Sequence, residues 1–399
     1  MPVAEALARV LADARALPTE QVPLKHSVGC VLAEDVVALR TLPPADVSAM
    51  DGYAVRARDV AQAPARLRVI GEVAAGHPFA GGVGAGEAVR IFTGALLPAG
   101  SDTVVVQELA SRDGDEVTFT KPTAKGRNVR RTGIDFAQGA VLLHKGRRLT
   151  DRDVMLAAAM NHPALPVHRR VKVAVLGTGD ELVPPGSAAN TGEIVYSNGF
   201  ALLALAESEG AVAEDLGVAR DNIADIAVCV RRARAWGADI LLTSGGASVG
   251  EHDLVQRALR AEGLALSFWR VALRPGRPMM HGRLGPMQVL GVPGNPVSAY
   301  VCAFLFLVPL IRRLAGRADL TPTPQAARLG RDLPANDERQ DYLRATLAEG
   351  PGGLVATPLP DQDSSLMAPL AKADCLLIRE PHAPAAVAGS PCVILKLGL

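Results

Sequence analysis

From residue 171 to residue 318 the chain alternates strand-like and helix-like segments, and that rhythm leaves few architectures open. A β-rich run at 171–176 precedes helical patterns at 197–209 and 223–236. A short apolar strand at 240–242, a helix at 254–262, a strand at 287–292 and a helix at 297–314 follow. This order predicts a doubly wound, mostly parallel α/β sheet with helices on both faces. In such sheets ligands bind outside the carboxyl ends of the strands. Three loops follow strands here, 177–181, 244–253 and 293–298, so all three should open on one edge of the sheet.

The rest of the chain divides around this central unit, which is expected to cover 169–318. Residues 39–133 are rich in Gly, Val and turn residues, with short β runs, and predict a β-rich domain. The flanks 1–38 and 134–168 carry helical patterns at 3–17 and 151–160 and should join as one discontinuous helical domain. Beyond Thr321-Pro322-Thr323-Pro324, short runs at 354–356, 375–378 and 392–397 predict a small β-barrel-like domain over 322–399. A chain of 399 residues is too long for one ordinary core.

A formal net charge of +1 gives no electrostatic case for nucleic acid or an anionic membrane, so any basic site must be local. Cys30, Cys229, Cys302, Cys375 and Cys392 are scattered without a C-x-x-C pair, a pattern suited to a reducing cytoplasm. The N-terminus leads into an amphipathic helix rather than a charged-then-apolar leader, which predicts no export. The longest apolar run, 297–311, falls short of the roughly 20 residues of a membrane span and contains Ser298 and Pro309, so it reads as a buried or interface helix.

The loop Thr243-Ser244-Gly245-Gly246-Ala247-Ser248-Val249-Gly250-Glu251-His252-Asp253 joins a strand to a helix N-terminus. Free N–H groups and the helix dipole attract phosphate-like groups there, and glycines allow close approach. Glu251 and Asp253 would repel an anion unless a cation balanced them, which suggests phosphate with Mg2+. The alternative is a glycine turn needed only for packing. Arg274 and Arg277 flank a Pro-Gly turn and suit bidentate capture of an oxyanion, although arginines are common on this surface. Asp51 precedes a strand in an Asp-Gly corner that also reads as a plain hairpin, and Thr93 reads equally as a local side-chain turn. Arg130 and Arg131, near Asp135, make a second basic corner that an ordinary salt bridge would also explain. No H-E-x-x-H spacing and no G-x-S-x-G elbow occurs, so a covalent mechanism has no support.

Taken together, SAMDGYAV (48–55), Thr93-Gly94 with Pro98 and Gly100, GTGDEL (177–182), TSGGASVGEHD (243–253), RPGRP (274–278) and VPGNPVS (292–298) resemble the molybdopterin molybdenumtransferases, the family of bacterial MoeA and the gephyrin E domain. The resemblance runs over nearly the whole chain in the same order. It implies a four-part, elongated, homodimeric enzyme of molybdenum cofactor biosynthesis, with the α/β domain of one subunit facing the β domain of the other. The implied reaction inserts molybdate into the dithiolene of adenylylated molybdopterin, with Mg2+-dependent release of AMP. The preceding adenylyltransferase and the molybdoenzymes that accept the product are the implied partners.

Carried over by motif, Asp51, Thr93 and Asp135 would approach from the partner subunit. Glu181 and Asp253 would hold Mg2+, and Asp221 matches an acid near the pterin. Ser244, Gly245, Gly246, Ser248 and Gly250 would cradle phosphate, while Pro293, Gly294, Asn295, Pro296 and Ser298 would wall the substrate. Arg274, Arg277, Arg339 and Ser364 would receive molybdate. Three positions depart from the family: Arg stands where Lys is frequent in RPGRP, Tyr196 stands where an acid is common, and Ile134, before Asp135, stands where an acid is frequent too. Two alternatives remain at this stage, the adenylyltransferase that precedes this step, whose single domain resembles 171–318, and a non-catalytic scaffold of the same fold.

Overall fold

The computed structural model describes residues 1–245, 254–350 and 352–398. Its central sheet runs in the order Val212–Ala219, Lys172–Thr178, Ile240–Ser244, Met287–Val292, Met280–Leu284, Ala265–Trp269. The first four strands are parallel and the last two antiparallel. Ile240–Ser244 and Met287–Val292 are buried at every position, as expected of strands covered on both faces. Alternate residues choose alternate faces. Val173, Val175, Leu242 and Leu290 pack with Leu202 and Phe306 on one side, whereas Ala174, Leu176, Leu241 and Val289 pack with Ile226, Val230 and Leu259 on the other.

Helix Ile223–Trp236 shows why these elements start and stop where they do. Asn222 caps it by accepting the Asp225 N–H at 2.9 Å, and Gly237 ends it in the left-handed conformation at φ 76°. The last helix of the unit spans the predicted 297–314 and starts one residue earlier, at Pro296. Pro296–Cys302, a π turn at Ala303–Leu307 and Val308–Leu314 form one helix of 19 residues. Pro309 lacks an N–H and crowds the carbonyl four residues earlier; the wide π turn before it relieves that conflict, so the helix continues. By length and composition it could cross a membrane, yet 83% of its apolar window is buried inside the protein.

The β-rich lobe is a six-stranded sheet in which Gly52–Val55 lies between Thr103–Val106 and Glu87–Ile91. The two flanks meet through antiparallel pairing: Ala164–His168 lies between Thr19–Pro23 and Val31–Leu32, and Val141–Leu143 pairs with Val36–Val37. Helix Asp151–Ala159, held by a Thr150/Asp153 capping box, packs on them. The first helix, Val3–Ala12, departs from the expected grouping. Its buried stripe Val3, Ala6 and Val10 joins the core of the α/β unit, and the Leu17 N–H donates to Leu314 O at 2.8 Å. At the C-terminus Gln340–Gly350, Gly353–Pro358, Gln325–Leu329, Pro391–Lys396 and Cys375–Arg379 close into a five-strand barrel, because the last strand pairs back onto the first. The short strand Leu273–Arg274 of the α/β unit adds to this barrel beside Gln340–Asp341.

Candidate active site

The three strand-end loops open together on a cleft of about 1120 Å³. Its floor is Thr178-Gly179, Ser244-Gly245 and Pro293-Gly294. Gly245 has φ +100°, and a Cβ there would lie 2.4 Å from Thr178 O, so no other residue fits without moving the neighbouring turn. Asn198 fastens the loops to one another: its Nδ2 donates to Ser244 Oγ at 2.9 Å and to Gly294 O at 2.7 Å. Pro296 and Ser298 begin the long helix and form one wall. Gly246, Ser248, Gly250 and Asp253 lie outside the described residues.

Glu181 and Asp221 line the cleft, and Asp180 accepts the Asp221 N–H at 3.1 Å. Burial raises the Asp221 carboxyl above its ordinary value, against the lowering effect of a hydrogen bond from the Asp180 main chain, and the negative charges of Asp180 and Glu181 push it up further. Among the described residues no ion pair neutralises any of these three acids, and no three metal-ligating side chains already cluster. An open, uncompensated carboxylate edge fits Mg2+, which usually takes one or two protein carboxylates and completes its shell with water and phosphate.

The opposite wall comes from the arginine turn and the barrel. Arg274 lines the cleft, but its guanidinium is engaged: Nη1 donates to Asp337 Oδ2 at 3.0 Å, and Nη2 donates to Asn336 Oδ1 at 2.9 Å and to Asp341 Oδ2. Arg339 also donates to Asp337, at 2.7 Å. The side chain and main chain of Arg339, with Arg274 adding its charge, hold the Asp337 carboxyl down at about 2. Arg277 is exposed in the cleft and has no ion-pair partner among the described residues. Ser364 is fixed by Asn295, whose Nδ2 donates to its Oγ at 2.7 Å, and its carbonyl accepts the Val297 N–H at 3.0 Å.

Asp51, Thr93 and Asp135 do not line this cleft. Asp51 Oδ1 accepts the N–H and the hydroxyl of Thr93, each at 2.7 Å, which makes a half-buried, ordered carboxylate on the β-rich lobe. The Thr93 main-chain bond, then its hydroxyl, lowers the Asp51 carboxyl below the usual range. Gly52 must be glycine, since a Cβ would fall 2.0 Å from Val105 O. Asp135 is exposed on the adjoining turn. The salt bridge at the second basic corner does form, but from Arg131 to Asp46 at 2.6 Å and not to Asp135.

Residues 1–161 match the family model of the MoeA N-terminal region (domain I and II), 174–313 that of a "probable molybdopterin binding domain", and 326–397 that of the MoeA C-terminal region (domain IV). A Haemophilus influenzae protein named molybdopterin molybdenumtransferase is 34% identical over 379 residues, covering 94% of this chain and 93% of the relative. The chain belongs to the molybdopterin molybdenumtransferase family. A relative of the same name from Bacillus subtilis is 34% identical over 390 residues, covering 95% of this chain and 90% of the relative. The crystal structure of the molybdopterin biosynthesis moeA protein from Pyrococcus horikoshii superposes with a TM-score of 0.84 at 30% identity, covering 100% of both chains. Members of this family are enzymes.

Sequence reasoning did not single out Asn198, Asp180, Asn336, Asp337 or Asp341. Asn198 had a local signal, a Ser-Asn pair opening a helical pattern. Asp337 and Asp341 sit on either side of Arg339, but what they hold is Arg274, 63 and 67 residues away along the chain.

Proposed function

We propose that this enzyme inserts molybdate into the dithiolene of adenylylated molybdopterin and releases AMP in a Mg2+-dependent step. The observation that carries the reading is the meeting, in one cleft, of three glycine-bearing turns, an unneutralised acidic edge at Glu181 and Asp221, and a cationic wall at Arg277 and Arg339. Glycine turns accept phosphate, and a cationic wall accepts an oxyanion. Glu181, with Asp253 from the adjoining loop, would hold Mg2+, which when bound neutralises charge on the phosphoanhydride. The protein's own part is to position: Asn198 keeps the floor loops in register, Ser364 and Asn295 fix the barrel against the wall, and Arg277 supplies the free guanidinium. Arg274, occupied by Asp337 and Asp341, sets the shape of the molybdate wall rather than offering a free donor.

Asp51, Thr93 and Asp135 suit a second role. None of them lines the cleft of its own subunit, which favours a homodimer in which each β-rich lobe completes its neighbour's site. The five free thiols fit a cytoplasmic enzyme that receives substrate from the preceding adenylyltransferase and passes product to molybdoenzymes. The adenylyltransferase and scaffold alternatives are not favoured, since family matches extend over both terminal regions as well as the central unit.

The test is AMP release from adenylylated molybdopterin with molybdate and Mg2+; folded protein that releases none overturns the reading. Mixing Asp51→Asn with Glu181→Gln protein tests the dimer. If the site is shared, subunit exchange at limiting Mg2+ raises activity above that of either variant alone, and well-exchanged heterodimers that show no such gain sink the shared site.

A further inference from the structure

Tyr196 occupies an unusual slot in the cleft wall. It is 5% exposed, and it separates the cleft from a second cavity of about 910 Å³ that also borders Asp215 and Asp221. Its ring is threaded between two glycines. A Cβ on Gly177 would stand 2.6 Å from the ring, and one on Gly199 would stand 2.0 Å from Tyr196 Oη. Both glycines have ordinary backbone angles, so at each the side-chain space, not the conformation, is what the tyrosine uses.

The hydroxyl at the end of this ring is buried and has no hydrogen-bond partner among the described residues. Phenylalanine would wedge the same slot without leaving a polar atom unpaired, and buried polar groups in folded proteins are rarely left so. Among the described residues, then, nothing in the free protein uses the hydroxyl. Burial, with Asp215 adding its negative charge, holds the phenol well above the ordinary tyrosine range, so it keeps its proton and can only serve an acceptor as a neutral donor. In open parallel sheets ligands seat beyond the carboxyl ends of the strands, and Thr178-Gly179 is such an end in the cleft floor, within reach of a phosphate of a bound nucleotide.

We propose that Tyr196 is a substrate-binding residue whose hydroxyl donates to a phosphate oxygen of the nucleotide seated across the Gly177–Gly179 turn. The inference rests on the reading that this cleft receives adenylylated molybdopterin. Because the hydroxyl is closed off in the free protein, the bond forms as the turn gives way around the ligand.

The experiment compares AMP binding, with Mg2+ present, to the full-length protein and to Tyr196→Phe. The variant keeps the ring, so thermal unfolding should stay where it was or rise. Its dissociation constant for AMP should increase about tenfold or more, the loss expected when a donor to a charged acceptor is removed. The tyrosine difference absorption that accompanies AMP binding should disappear with it, while molybdate binding stays unchanged. Equal AMP affinity in the two proteins overturns the assignment, as does an intact protein that binds no AMP. A Tyr196→Phe protein that loses AMP and molybdate affinity together also overturns it, because that pattern marks general damage to the cleft. The failures are separable: an intact protein that turns over while Tyr196→Phe binds AMP normally sinks only the tyrosine assignment, whereas absence of turnover by the intact protein sinks the functional reading.

Discussion

Thr93 gives both its N–H and its hydroxyl to the same oxygen of Asp51, each at 2.7 Å. The main-chain bond is the larger influence on the carboxyl and the hydroxyl the second, so Asp51 is ionised well below neutral pH. Its lowered value means that the interaction is present above the ordinary aspartate range and is lost as pH falls through the folded value. Thr93→Val removes one donor and keeps the other. We expect an unchanged melting temperature, AMP release reduced by about tenfold, and an acid limb of the pH–rate profile that moves toward higher pH. An acid limb that stays put would separate Thr93 from the titration.

Arg274→Ala leaves Asp341, which is 4% exposed, buried without its guanidinium. Since the arginine is itself almost half exposed, the loss should be about 1–3 kcal/mol rather than the larger figure for a sealed pair. Burial already raises the Asp341 carboxyl, and a raised aspartate costs stability as pH climbs from its unfolded toward its folded value. The variant should therefore lose more stability at pH 7 than near pH 4. Denaturant melts at the two pH values decide this, and equal losses would refute the account.

Glu181→Gln removes one of the charges that raise Asp221. Without metal, the variant should be as stable as the parent at pH 7 or slightly more so, because like-charge repulsion is relieved. Its need for Mg2+ should rise by about tenfold. In the parent, Mg2+ binding should weaken as pH falls through the raised Asp221 range, since the proton competes with the cation. Titration of Mg2+ against AMP release at several pH values measures both effects.

Gly245→Ala places a methyl 2.4 Å from Thr178 O at a φ of +100°. A loss of about 1–3 kcal/mol is expected, with activity falling further because the floor of the cleft must shift. Gly237→Ala, at φ 76° with open space around its Cβ position, is the control. It should cost about 1 kcal/mol and leave turnover intact, as a strained residue far from the cleft does.

The α/β rhythm was legible because strands covered on both faces become continuous apolar runs, as in Ile240–Ser244 and Met287–Val292. The strands Val212–Ala219 and Ala265–Trp269 escaped because they lie at the sheet edges, where only part of each strand is buried. The longest barrel strand, Gln340–Gly350, escaped for a similar reason: Asp341 and Arg344 are buried in it, and polar residues give no apolar alternation. The strand-end loops could be placed on one edge from their order alone. What Arg274 does could not be read locally, because its partners come from another unit far along the chain. Nor could the composition of the Asp51 corner distinguish a hairpin from a carboxylate held by Thr93, since that depends on a partner 42 residues away.

The helix that begins at Pro296 in the cleft wall runs to Leu314, where its last carbonyl receives Leu17, and four residues further on Ala318 donates to Gly146 of the discontinuous lobe. At 1.5 Å per residue it is a rod of about 28 Å. The lobe bearing Asp51 hangs from the discontinuous lobe, so the placement of Asp51 is gauged from the first turn of its own subunit's cleft. In the proposed dimer that aspartate serves the opposite cleft. Each opening is then spaced by a rod anchored in the other subunit.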